Sequence, residues 1–126
     1  MRKIAGYSLL EILISLCILS GGLLGFAQAQ LLSLRTNQVA NLQSIAQTRL
    51  IALADALQAC TTTKCSSSDL QQEIKDWNML NANLLPGGKG KLASSGNQQI
   101  ITLHWHGADG DSFKSQAKLI IPGIYA

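Results

Sequence analysis

Hydrophobic and polar positions follow three different rules along the 126-residue chain. From Leu9 to Ala29 every position except Glu11 and Gln28 is apolar or small. As a helix, those 21 residues span about 30 Å, enough to cross a bilayer core. Beyond them the rule changes. Val39, Leu42, Ala46, Leu50, Leu53 and Leu57 recur every three or four residues, while Arg35, Asn37, Asn41, Gln43, Gln47, Thr48, Asp55 and Gln58 supply the polar remainder. No proline precedes Pro86, so a single helix is predicted from Tyr7 to Ala59, about 80 Å long. Gly21, Gly22 and Gly25 are its weak points, each costing about 1 kcal/mol relative to alanine. Gly21 and Gly25 also have the small-xxx-small spacing that lets membrane helices pack closely; a merely flexible spot is the plainer reading.

Cys60-Thr-Thr-Thr-Lys-Cys65 follows the stripe directly. Ser68-Asp69-Leu70-Gln71 resembles a capping box, opening a short helix with Leu70, Ile74, Trp77 and Leu80 on one face. Leu84-Leu85-Pro86-Gly87-Gly88 closes that helix in a turn. The period then becomes two. Lys89–Ser94 supplies a short strand before a Ser95-Gly96-Asn97 turn, and Ile101, Leu103 and Trp105 alternate with Thr102, His104 and His106. After a turn over 107–112, Phe113, Ala117, Leu119 and Ile121 point inward, with Lys114, Gln116 and Lys118 outward. The predicted class is α+β: a long N-terminal helix, its first half transmembrane, packed against a small antiparallel sheet.

Composition sharpens this picture. The chain is 47% hydrophobic and 13% charged, with a net charge of +3; an average domain carries about twice that charge fraction. Residues 4–34 hold 20 hydrophobic residues, whereas 35–126 hold 38 and look like an ordinary soluble unit. One small domain with a modest core fits, and a two-domain enzyme is excluded. Arg2 and Lys3 precede the apolar run, which places the N-terminus in the cytoplasm and the body of the chain on the other side. Glu11 is the anomaly, since a carboxylate in a membrane helix is costly. It either sits solvated at headgroup depth or meets a cation. A cut after Gly6 would supply one, an α-amino group on Tyr7 four residues before Glu11.

Gly6-Tyr7-Ser8-Leu9-Leu10-Glu11-Ile12-Leu13-Ile14 resembles the class III signal of type IV pilins and pseudopilins. The resemblance implies cleavage at Gly6/Tyr7 by a prepilin peptidase, N-methylation of the new first residue, and a role for Glu11 in registering subunits. Tyr7 departs mildly from the phenylalanine or methionine usual there. Leu19–Gly25, Trp77, Leu85-Pro86-Gly87-Gly88 with Gly90, and Ile101–Trp105 extend the likeness to a PilV-type minor pilin. That implies a leader at 1–6, a transmembrane and filament-core helix at 7–30, an amphipathic continuation at 31–59 and a small periplasmic globular domain at 60–126. It further implies residence in a bacterial inner membrane and then at the pilus tip. The partners it implies are other minor and major pilins, the assembly platform and a tip adhesin, in adhesion, motility or DNA uptake. An I-type minor pseudopilin of a type II secretion system is the alternative. Ala27-Gln28-Ala29 also matches a secretory signal peptidase site, giving a mature start at Gln30, but Glu11 has no purpose in such a signal.

Outside the membrane run, Cys60 and Cys65 suit a disulfide in an oxidising compartment. His104 and His106 share a strand face and with the two cysteines could form a four-ligand metal set, although periplasmic cysteines more often oxidise. Asp109-Gly110-Asp111 is ordinary turn chemistry without the further ligands calcium needs. No cofactor or metal is expected, and no catalytic constellation emerges. Removing residues 1–6 leaves eight basic against seven acidic residues. Lys89, Lys91, Lys114 and Lys118 would then be the cations that adjoining strands could gather, predicting weak, salt-sensitive DNA contact.

Overall fold

The computed structural model describes residues 7–63 and 65–120. Two helices and three strands follow in order: α1 (Tyr7–Thr63), α2 (Ser67–Leu84), β1 (Lys89–Ser95), β2 (Gln98–His106) and β3 (Ser112–Ile120). Contacts divide the chain into two compact units, one ending at Asn37 and the other beginning at Gln38. The architecture is the predicted α+β layout, a long helix and a three-stranded antiparallel sheet of order β1-β2-β3.

Helix α1 runs four residues beyond the predicted end at Ala59. Cys60 and three threonines make up the extension. Thr61 donates to the Gln58 carbonyl, while Thr62 and Thr63 donate to the Ala59 carbonyl at 2.7 and 2.9 Å. Each hydroxyl thus bonds a carbonyl of the preceding turn, as serine and threonine side chains commonly do inside helices.

The capping box of α2 forms two residues earlier than the sequence pattern suggested. Ser66, not Ser68, is the N-cap: its Oγ accepts from the Asp69 N–H at 3.3 Å, and the Asp69 carboxylate accepts from the Ser66 N–H at 3.2 Å. Asp69 thus does the work that glutamate or glutamine more often does. The inward row is correspondingly Leu70, Ile74, Trp77 and Asn81, the first two half-buried and the last two buried, while Leu80 is 44% exposed. Spacings of four, three and four hold that row on one helix face, and Leu80 falls off it.

In the second unit, Ala46, Leu50, Leu53 and Leu57 of α1 join Trp77, Leu85, Ile101, Leu103 and Trp105 in a single apolar core. The stripe fades toward its start, with Leu42 half-buried and Val39 exposed. Strand β2 alternates as predicted and buries Gln99 as well, whose amide donates to Ser94 Oγ at 3.0 Å. Phe113, Ala117 and Leu119 of β3 pack against the core; Ile121 lies outside the described residues. Gly96 and Gly110, at φ +60° and +83°, turn the two hairpins in the left-handed region open to glycine.

One close approach organises this unit. The Trp77 indole donates to the Arg49 carbonyl at 2.7 Å, and its ring lies on Gly90, where an added Cβ would overlap it. Next to it, Asn78 Oδ1 accepts from the Gly90 N–H at 2.8 Å. Gly90→Ala should therefore lower stability by about 2 kcal/mol through overpacking. Urea unfolding followed by tryptophan fluorescence checks this; an unchanged midpoint would contradict the contact.

Candidate functional surfaces

Every side chain from Ser8 to Ala40 is exposed. A helix that is apolar on all sides is at home in lipid or inside a bundle, not in water. Near the N-terminus, α1 is long and apolar enough to cross a membrane. Glu11 stands on this segment with Ser8 and Ser15 three and four residues away. Together with Ile12, Leu16 and Leu19 they line a shallow groove along one helix face. Gly6 lies outside the described residues, and Tyr7 is defined only as the first residue of α1. The pairing of Glu11 with a new amine therefore lies beyond what is described. Gly21, Gly22 and Gly25 keep a regular helix, and nothing comes within 4 Å of the place a Cβ would take at any of them. No neighbour among the described residues requires a glycine there.

A second feature joins the helices. Cys60, in the last turn of α1, is disulfide-bonded to Cys65, with Cα atoms 4.9 Å apart. The Cys65 N–H donates to the Cys60 carbonyl at 3.2 Å, and Thr63 Oγ1 lies 3.6 Å from Cys65 Sγ. The N-cap Ser66 follows at once, so the covalent ring closes directly onto the capping box. With both thiols consumed, neither cysteine is a thiolate ligand for His104 and His106. Among the described residues no group of three or more histidines, cysteines and carboxylates is placed to hold a metal ion.

The third surface is the outer face of the sheet. Cross-strand register sets Lys89, His104 and Lys114 in one row, Lys91, Thr102 and Gln116 in the next, and Ala93, Ile100 and Lys118 in the third. His106 lies opposite Ser112, its Nδ1 3.4 Å from Ser112 Oγ. Gln116 donates to Thr102 Oγ1 at 3.2 Å. All four lysines and both histidines are exposed on this one face, and the three strands contain no aspartate or glutamate. Asp109 and Asp111 lie beyond the strands, in the turn where the Gly107 N–H donates to the Asp111 carbonyl at 2.8 Å. Adjoining strands thus do bring the four lysines together.

One buried polar group had no place in the sequence reading. Asn81 is fully buried, its Oδ1 accepting from Arg49 Nε at 3.2 Å, while its Nδ2 has no hydrogen-bond partner. Its spacing of four from Trp77 was the available signal. Comparison with protein-family models, with curated proteins and with solved structures returns no match.

The disulfide closes a short ring, so its removal lengthens only a small loop in the unfolded chain. Replacing both cysteines by serine should lower stability by about 2 kcal/mol. The strand signals in an amide-exchange experiment should stay in place, and a loss of sheet protection would show the bridge to do more than fix the helix junction.

Proposed function

We propose that this chain is a minor pilin of a type IV pilus, with a structural rather than a catalytic role. It is made as a single-pass protein of the bacterial inner membrane with its N-terminus in the cytoplasm. A prepilin peptidase cuts after Gly6, and Tyr7 becomes the methylated first residue. The subunit then leaves the membrane to assemble with other minor and major pilins, priming filament growth and standing at the tip.

The observation that carries this reading is the first part of α1. From Ser8 to Leu34 its side chains are exposed on every side, mostly apolar, and charged only at Glu11. Water is a poor home for such a surface, and lipid or a bundle of like helices would cover it. A carboxylate in that setting needs a partner, and the amine at a neighbouring subunit's first residue is one that would also fix the axial register of the subunits.

Glu11→Ala should leave a chain that is inserted and trimmed at Gly6 but missing from sheared filaments. Immunoblots of the membrane and filament fractions check this, and incorporation at the normal level would sink the assembly role. Intact mass of the mature chain supplies the independent check. A chain starting at Tyr7 agrees with the reading, and one starting at Gln30 refutes it.

A further inference from the structure

We infer that the free edge of β3 is a docking site for an extended segment of a partner protein. The segment adds as a further antiparallel strand, with carboxylates on the outer face and apolar side chains on the inner one. The inference rests on the sheet alone and does not depend on the filament reading.

Two hydrogen bonds fix which backbone groups look outward. The His106 N–H donates to the Pro86 carbonyl at 2.8 Å, so His106 and every second residue before it in β2 turn their backbone groups to the β1 side. Gly90 agrees. It lies opposite Leu103, and its N–H donates away from β2, to Asn78 Oδ1 at 2.8 Å. Ile101, Leu103 and Trp105 therefore turn their backbone groups to β3, where they lie opposite Ala117, Ser115 and Phe113. The alternation leaves the N–H and C=O groups of Lys114, Gln116 and Lys118 directed away from β2. They recur every 6.8 Å or about that along the edge, the repeat that an incoming strand matches.

The two edges of the sheet differ. Helix α2 lies against β1, and its Asn78 takes an edge donor. Among the described residues only β2 lies alongside β3, a strand of nine residues. The inner face is incompletely covered at the same edge. Phe113, Ala117 and Leu119 are half-buried, whereas Ile101, Leu103 and Trp105 on the neighbouring strand are buried. An added strand meets both needs, pairing the backbone groups and laying apolar side chains beside Phe113 and Ala117.

Charge selects the occupant. Lys114 and Lys118 are exposed on the outer face of β3, where the side chains of an added strand would stand directly opposite. Lysines on an edge strand deter pairing with like strands. None of β1, β2 and β3 contains aspartate or glutamate, so a strand from a second copy has no carboxylate to place there. The fitting segment has acidic residues at the spacing of Lys114 and Lys118, with apolar residues in the alternate positions.

The probe is an end-blocked peptide, Thr-Val-Glu-Val-Thr-Val-Glu-Val-Thr, added to the full chain in zwitterionic micelles. In the free chain the amides of Lys114, Gln116 and Lys118 should exchange rapidly, and peptide at about ten times its Kd should slow them about tenfold. N-methylation at the central threonine, whose N–H faces β3, should abolish binding; the same change at a neighbouring valine, whose N–H faces away, should not. Lys114→Glu with Lys118→Glu should weaken binding about tenfold and favour a peptide with lysines in place of the glutamates. Gln116→Pro, which removes an edge N–H that β2 does not use, should lose binding with the near-ultraviolet circular dichroism of the buried Trp105 unchanged. If that variant does not fold, the two N-methylated peptides carry the test. Slow exchange at these amides before peptide is added, from the rest of the chain or a second copy covering the edge, overturns the inference. So does equal binding of the threonine-methylated peptide, or of the glutamate peptide to the charge-reversed chain.

Discussion

Trp77 is the side chain on which the second compact unit turns. Its indole nitrogen is spent on the Arg49 carbonyl of α1, its ring covers Gly90 of β1, and it is itself part of α2. Three elements thus meet at one residue. The geometry leaves little freedom, because a buried indole N–H needs an acceptor and the ring needs a position without a Cβ beside it. Asn78 fixes the same strand from the next helical position by taking the Gly90 N–H. Asn81, one turn on, brings Arg49 to the same junction. Once α2 and β1 are set in this way, the hairpins place β2 and β3, and the alternation of β2 turns Ile101, Leu103 and Trp105 to the core and His104 and His106 to solvent.

Charge and apolarity are sorted between the two units. The first unit is an apolar helix surface with one carboxylate, which asks for lipid or other helices around it. In the second, the core is ordinary and the sheet's outer face is basic, while the described carboxylates sit on the helices and in the β2–β3 turn. The proposed filament role draws on the first surface. It depends on burying hydrocarbon and on placing a single charge.

Much of the local structure was legible beforehand. The helical stripe through Ala46, Leu50, Leu53 and Leu57, the period-two run at Ile101–Trp105 and the glycine turns are all short-range patterns, and all are present. The misses have physical reasons. Threonine is a weak helix former, yet α1 continues through Thr61, Thr62 and Thr63, whose hydroxyls bond carbonyls of the preceding turn. The capping box shifted to Ser66 because the disulfide delivers the chain there and Asp69 can complete it. Leu80 gave way to Asn81 because the facing Arg49 supplies a hydrogen bond that makes a polar residue tolerable in that position.

By itself the sequence determined the elements, the apolar N-terminal run with its single Glu11, and the alternation along each strand, because these depend on neighbours within a few residues. Tertiary structure alone decided which strands adjoin and in what register. From that came the row of Lys89, His104 and Lys114, built from three strands and spanning 26 residues of chain. It likewise decided that Trp77 would meet Gly90, a contact specified by the fit of a ring against a bare backbone and not by any local pattern.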